Sequence, residues 1–220
     1  MPHHTPSSSA TKGHLIHWAA RYDWLVQCMT FGRSRHLRER MADLLPLQHG
    51  DIALDVGCGT GDLAIELAKR VGRAGKIVGI DGSEEMIARA QRKARHLHLP
   101  IEFHVEQAEA LSFSNHSFNA VVSSLVFHAL PDNLKHTVLA EIARMLKAGG
   151  QLTIIDFFNS SGQILTHAAQ PADSYNLPSL LRQLGFQQVQ SGRIPFFIAG
   201  VPPLGFVSAR LPSQEYSDIQ

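Results

Sequence analysis

Three glycines and two carboxylates fall at spacings that suit a nucleoside-bearing cofactor. In Ile52-Ala53-Leu54-Asp55-Val56-Gly57-Cys58-Gly59-Thr60-Gly61-Asp62, an apolar run reaches an acidic residue and alternating glycines then open a helical pattern. That order predicts a strand, a tight turn and a helix N-terminus. Glycine lacks a Cβ, so such a turn accepts positive φ and lets the backbone approach a ligand. A second apolar run, Lys76-Ile77-Val78-Gly79-Ile80, ends in Asp81, placed to accept both hydroxyls of a ribose. Farther along, His128 follows one apolar run and Asp156 ends another. Imidazole is the side chain whose ordinary titration lies nearest neutrality, which suits proton removal from a hydroxyl or an activated carbon. A loop histidine bonded to neighbouring backbone is the simpler reading of His128. A carboxylate capping a loop is an equal reading of Asp156, beside contact with a polar acceptor.

The elements that must hold these residues follow from periodicity. Helical spacing runs from about His14 to Leu45 with a break near Thr30-Phe31-Gly32, predicting two helices ahead of the glycine strand. Strands at 53–56, 77–80, 102–105, 120–125 and 151–156 then alternate with helices at 63–71, 84–96 and 134–146. Ser83 is a natural N-cap for the second of these. Such alternation predicts parallel βαβ units with right-handed crossovers. The end differs: a helix over 177–184 leads to short apolar runs at 188–191 and 206–209, separated by Pro202-Pro203-Leu204-Gly205. That pattern predicts an antiparallel hairpin at the sheet edge. The fold class is therefore α/β, a Rossmann-like doubly wound sheet of seven strands, mostly parallel with an antiparallel last strand. Residues 14–46 form N-terminal cover helices, 47–211 the core domain, and 1–13 and 212–220 polar, flexible ends.

The spacing Gly57-x-Gly59-x-Gly61 differs from the G-x-G-x-x-G fingerprint of dinucleotide sites. Asp81 alone does not choose between NAD and S-adenosylmethionine, because both carry a ribose. The set of motifs does. Asp55–Gly61 followed by Gly79-Ile80-Asp81-Gly82-Ser83 resembles motifs one and two of the class I S-adenosylmethionine-dependent methyltransferases. Gln107-Ala108-Glu109-Ala110-Leu111-Ser112-Phe113, Ser117-Phe118-Asn119-Ala120-Val121-Val122 and Arg144-Met145-Leu146-Lys147-Ala148-Gly149-Gly150 are similar to that family's later segments. The resemblance spans about residues 50–158. It departs at Gln107 and Asn119, where the family has Asp, and at Ala148, where it has Pro. Ala19-Ala20-Arg21-Tyr22-Asp23-Trp24 with the segment 34–38 is similar to the entry segment of the ubiquinone/menaquinone C-methyltransferases. Phospholipid N-methyltransferases share such openings. The quinone enzymes carry a longer helical insertion than the stretch between Asp156 and Leu177 allows.

The resemblance implies S-adenosyl-L-methionine as cofactor, with Tyr22, Asp55, Gly57, Cys58, Gly59, Asp81, Gly82, Met86, Gln107, Ala108 and Ser123 around it. Asp55 would act through the turn or near the methionine amino group, and Asp81 would take the ribose hydroxyls. Met86 would pack on the adenine, and Gln107 with the backbone of Ala108 would meet its edge. Tyr22, Phe127, His128 and Asp156 would face the acceptor, with His128 as the candidate catalytic base. Phe157, Phe158, Phe196 and Phe197 are further candidates for an apolar wall, though sheet core is the plainer reading for most. The acceptor implied is small and lipophilic or aromatic, with quinol-like C- or O-methylation favoured and phospholipid or small-amine N-methylation the alternative.

Composition narrows the remaining classes. A chain of 220 residues, 44% apolar and with a formal charge of +1, suits one substantial core. No basic tract or flipped-adenine motif suggests nucleic acid. Cys28 and Cys58 form no disulfide framework, and the histidines have no metal-ligand spacing. No apolar run suits a membrane span, so a cytoplasmic location is expected, with peripheral contact if the acceptor is a lipid. A nicotinamide oxidoreductase is disfavoured because no Tyr-x-x-x-Lys occurs: Tyr22, Tyr175 and Tyr216 are followed at that spacing by Val26, Ser179 and Gln220. A non-catalytic S-adenosylmethionine-binding domain is compatible with the same glycine turn.

Overall fold

The computed structural model describes residues 19–158, 176–196 and 202–213, with the side chains of residues 19–22 outside that description. The expectations for residues 1–13, Phe197, the stretch 159–175 and the tail from 214 lie outside it as well. Seven strands form one sheet: β1 (Ile52–Val56), β2 (Lys76–Asp81), β3 (Ile101–Val105), β4 (Phe118–Ser124), β5 (Leu146–Phe157), β6 (Gln187–Arg193) and β7 (Leu204–Arg210), in the order β3-β2-β1-β4-β5-β7-β6. The chain builds outward from β1 to β3 and then returns to lay β4 against the other edge of β1. That reversal opens a crevice beyond the C-terminal ends of β1 and β4, where doubly wound sheets bind ligands. Central strands β1 and β4 are buried along most of their length, as parallel strands covered on both faces must be.

The antiparallel pair lies at the sheet edge as expected, with its last strand on the inside. β7 pairs antiparallel with β5 from Gln151↔Arg210 to Phe157↔Leu204, and β6 takes the edge beyond it. The reason is visible in the side chains. Leu204, Val207 and Ala209 are buried, whereas β6 offers mostly exposed Gln, Ser and Arg and is suited only to an edge. β5 also begins earlier than expected. Leu146 pairs with Phe118 before a register shift, and Asn119 Oδ1 accepts from both the Ile52 amide (3.0 Å) and Lys147 Nζ (2.8 Å). The amide oxygen at this family departure therefore ties three strands together without a charge. Pro212, expected in the flexible tail, is fastened through its carbonyl to the Gly149 amide at 3.0 Å.

Helices cover both faces. α5 (Asp132–Met145) and α6 (Leu177–Gln183) bury Val138, Leu139, Ile142, Leu177 and Leu181 on one side. On the other, α2 (Ser34–Ala42), α3 (Asp62–Val71) and α4 (Glu84–His96) bury Leu37, Met41, Leu67, Ile87 and Ala90. α1 (Ala19–Met29) stands ahead of α2, and the chain breaks between them where Gly32, at φ +73°, donates to the Gln27 carbonyl. Ser83 caps α4 by accepting from the Met86 amide, as its position predicts.

Candidate active site

The glycine turn is built by β1 and β2 together. The amides of Gly57 and Cys58 both donate to the Ile80 carbonyl at 2.8 Å, and the Gly61 amide donates to Cys58 at 3.0 Å. Gly57 has φ +73°, and a Cβ there would collide with Val126 Cγ2; a Cβ on Gly61 would stand 2.9 Å from both Ala90 and Phe103. Gly57 and Gly61 are thus demanded by packing beneath the turn as well as by φ. Asp81 closes the cradle: Oδ2 accepts from the Gly59 amide and Oδ1 from the Ser83 amide, each at 2.9 Å. A carboxylate oxygen has two lone-pair sites, so both oxygens keep capacity for a ribose diol. Burial raises the Asp81 pKa, and the Ser83 and Gly59 amides pull it back.

Behind the turn, Asp55 is fully buried and neither carboxylate oxygen has a hydrogen-bond partner of ordinary geometry. Desolvation pushes its pKa up to about 7, opposed by the field of Arg38 and reinforced by that of Asp81. Arg38, on α2, is also buried, and its Nε has no partner. Cys58 is packed into the turn, and burial raises its thiol pKa well above the usual range. That makes it a small apolar filler, not a nucleophile.

One helix is pinned over this cradle. Asp23 of α1 accepts from Thr60 Oγ1 (2.6 Å), Arg89 Nε (2.5 Å) and Lys93 Nζ (3.1 Å), and Lys93 also donates to Asp62 (2.5 Å). Burial raises the Asp23 pKa, but the Thr60, Arg89 and Lys93 contacts outweigh it and the net shift is downward. Thr60 belongs to the turn and Arg89 and Lys93 to α4, so one carboxylate joins α1, the turn and α4.

On the acceptor side, β4 and β5 run parallel and bring two distant residues together. The short helical turn Phe127–Ala129 after β4 places the His128 amide 2.9 Å from Asp156 Oδ2 and His128 Nδ1 2.7 Å from Oδ1. Asp156 is fully buried and also accepts from the Phe157 amide at 2.8 Å. The Phe157 ring tilts against the imidazole, with centroids 5.2 Å apart. A carboxylate in its ionised form only accepts, so the contact suits a tautomer with the proton on Nδ1.

The remaining expected positions divide. Gly57, Cys58, Gly59, Asp81 and Gly82 come together around the turn, with Asp55 beneath. Met86 is buried at the start of α4. Gln107 is exposed in the loop after β3, and Ala108 packs partly against the core. Ser123 is fully buried, and its hydroxyl donates to the Val56 carbonyl at 3.0 Å, so it braces β1 against β4. Phe127 is fully buried in the core and Phe158 nearly so. Phe196 packs instead beside His36 and under the Arg33 guanidinium. Tyr22 lies on α1, with its side chain outside the described residues. Arg38, Asp23, Thr60 and Lys93 were not among the expected site residues. Arg38 had a sequence signal: it lies in the stripe Leu37, Arg38, Met41, Ala42, Leu45, which is apolar except at this cation. Among the described residues no cluster of His, Cys, Asp and Glu suits a metal.

A parallel sheet with this strand order, an inserted antiparallel strand and a glycine turn closed by a strand-end carboxylate define a class I nucleoside-cofactor fold. The sequence profile of the methyltransferase domain family matches residues 53–150. The demethylmenaquinone methyltransferase of Lactobacillus johnsonii is 34% identical over 149 residues, covering 67% of this chain and 60% of that protein. The ubiquinone/menaquinone biosynthesis C-methyltransferase of Blochmanniella floridana is 35% identical over 150 residues, 67% of this chain and 58% of that one. The chain thus spans about three fifths of the length of these relatives. The crystal structure of an S-adenosylmethionine-dependent methyltransferase from Aquifex aeolicus superposes with a TM-score of 0.64 at 23% identity, covering 88% of this chain and 98% of that one. This chain belongs to the S-adenosylmethionine-dependent methyltransferase family.

Proposed function

We propose that this chain transfers the methyl group of S-adenosylmethionine to a small lipophilic acceptor of the quinol type, at carbon or oxygen. The observation that carries the reading is the His128–Asp156 pair, its carboxylate fully buried, on the same rim as the glycine cradle. S-adenosylmethionine, when bound, supplies an electrophilic methyl group on a cationic sulfur. The turn and Asp81 hold the nucleoside end and fix its orientation, which is the larger part of what such a transfer requires. Asp156 holds the imidazole through Nδ1 and the backbone through the His128 amide, which orients the ring as the base for an acceptor hydroxyl. Loss of that proton enriches the acceptor oxygen and the conjugated ring carbon in electron density. The Phe157 ring beside the imidazole limits water at the transfer point.

The names of the relatives support a quinol, since they act on demethylmenaquinone or in ubiquinone/menaquinone biosynthesis. A cytoplasmic location, with peripheral contact where the acceptor resides in a bilayer, accompanies this reading. Among the described residues no helix is long and apolar enough to cross a membrane. The test is incubation of the purified chain with methyl-labelled donor and either a short-chain demethylmenaquinol kept reduced or phosphatidylethanolamine vesicles. Label in the quinol supports the proposal. Label in the lipid amine moves the reading to N-methylation, and binding of S-adenosylhomocysteine with no label in either defines a binding domain.

A further inference from the structure

Four large hydrophobic side chains stand exposed among the described residues, and three of them belong to the surroundings of α1: Trp24 (69% exposed), Phe31 (65%) and Leu97 (49%). Trp24, Gln27, Cys28 and Phe31 are exposed at i, i+3, i+4 and i+7, which is one face of a helix. Helical hydrogen bonding carries the chain that far, since the Thr30 amide donates to the Val26 carbonyl and the Phe31 amide to that of Cys28. No described side chain of α1 enters either hydrophobic cluster of the core; the Asp23 latch fastens the helix instead. Single exposed hydrophobics are ordinary on a surface. Two large aromatics aligned on one face of a helix that adds nothing to the core mark a contact surface.

Cations surround this face. Gln27, Arg35 of α2, and His96 and Leu97 at the end of α4 line one groove. α4 carries Glu84 and Glu85 in its first turn and Lys93, Arg95 and His96 in its last. The acids beside the groove are already matched: Asp23 with Arg89 and Lys93, Asp62 with Lys93, Glu66 with Lys69 and Glu39 with Arg35. Arg33, Arg92 and Arg95 are exposed, and among the described residues none of them forms an ion pair. The turn between α1 and α2 also reaches toward the acceptor side. Arg33 lies over the Phe196 ring, 5.3 Å from its centroid, and the Ile194 amide donates to the Leu204 carbonyl. Leu204 pairs in turn with Phe157, whose ring meets His128.

We propose that α1 and the end of α4 form a docking face for an anionic lipid bilayer, with Trp24 and Phe31 among the headgroups and Arg33, Arg92 and Arg95 against their charge. Aromatic side chains settle in the interfacial layer, and arginines beside them attract anionic lipid. A symmetric pair of chains joined here would instead bring the same cations face to face. A bilayer held on this face gives a lipophilic acceptor a path to His128 past the α1–α2 turn, a step that rests on the quinol reading above.

The test is flotation of the full chain with vesicles of phosphatidylcholine, alone or mixed with phosphatidylglycerol, and with a polarity-sensitive fluorophore on Cys28. Cys28 is exposed in the same row and Cys58 is buried, so the label reports on this face. The wild type is expected to bind the anionic vesicles, less tightly as salt rises, with a blue shift of the label. Trp24→Ser combined with Phe31→Ser should weaken that binding about 10-fold or more, and Arg92→Gln combined with Arg95→Gln about 10-fold at low salt. Both variants should keep wild-type affinity for S-adenosylhomocysteine and wild-type turnover of a water-soluble short-chain quinol, which separates docking from folding and chemistry. No binding of the wild type to anionic vesicles, binding that survives both variants, or binding without the blue shift overturns the docking face. Self-association in sedimentation that both variants abolish overturns it too, since the face then joins two copies. Vesicle binding with these variant effects but no label transfer to the quinol upholds the docking face and overturns the quinol reading.

Discussion

Asp55 and Asp156 are both fully buried carboxylates near the C-terminal ends of strands that flank β4, yet their surroundings are opposite. Asp156 accepts from the His128 amide, the His128 imidazole and the Phe157 amide. Asp55 has no hydrogen bond of ordinary geometry on either oxygen, only a weak pull from the Ala64 amide, and is pushed up to about 7 by desolvation. One end of the rim is electrostatically finished before any ligand arrives, and the other is not. A finished site holds a side chain in one orientation, which suits proton transfer. An unfinished site loses stability in the absence of a ligand and regains it with the right one, which suits selective binding of a charged group.

The sharpest way to break that comparison is at the finished end. His128→Ala should lower kcat for a quinol acceptor by about 100-fold or more, the range of general-base loss, and leave S-adenosylhomocysteine affinity within about twofold. Asp156→Asn should follow it with a smaller loss, because Asn keeps an acceptor for Nδ1–H. If neither variant changes the pH dependence of kcat, the pair serves only the loop. At the cradle, Asp81→Ala should weaken S-adenosylhomocysteine and methylthioadenosine together by about 100-fold, since the ribose is common to both and two turn amides lose their acceptor. Selective loss of one ligand in calorimetry would contradict the ribose assignment.

Asp55→Asn sharpens the unfinished end through stability. Folding raises this carboxyl from the ordinary 3.8 to about 7, so the folded state favours the acid form. Its stabilising contribution is whole below about pH 4 and is lost as pH rises toward 7, by at most on the order of 4 kcal/mol. Denaturant unfolding at pH 5 and pH 8 should therefore show the wild type less stable at the higher pH, and Asp55→Asn with a shallower slope. Asp81, raised in the same direction, leaves a residual slope of the same sign. An unchanged slope would mean that Asp55 is ionised throughout. The smallest effect is expected at the α1 latch. Asp23→Asn should weaken S-adenosylhomocysteine by less than about fivefold and lower Tm by a few degrees, because partly exposed ion pairs contribute little and are screened by salt. An effect of the same size at 1 M salt would show that the latch acts through the Thr60 hydrogen bond instead.

Much of the donor side was legible in the chain itself, because its determinants are local. Gly57, Gly59 and Gly61 follow a strand and precede a helix within one stretch of sequence, and Ser83 declares the start of α4 three residues before the amide it caps. Where a contact depends on neighbours far along the chain, the sequence does not supply it. Ser123, expected near the cofactor, has its hydroxyl on the Val56 carbonyl, 67 residues earlier. Phe127, expected at the acceptor, lies in the core because the turn after β4 sends His128 toward Asp156 and the ring inward.

The sequence by itself determined the order of strands and helices, the glycine turn, the strand-end carboxylates and the family, since periodicity, turn chemistry and motif spacing are properties of short segments. Only the tertiary structure decided that β7 enters between β5 and β6, that His128 and Asp156 meet, and that Asp55 is buried within the field of Arg38. Those outcomes depend on which buried polar groups find one another after the layers close. Hydrogen bonding and desolvation act over a few ångströms of space, whatever the separation along the chain.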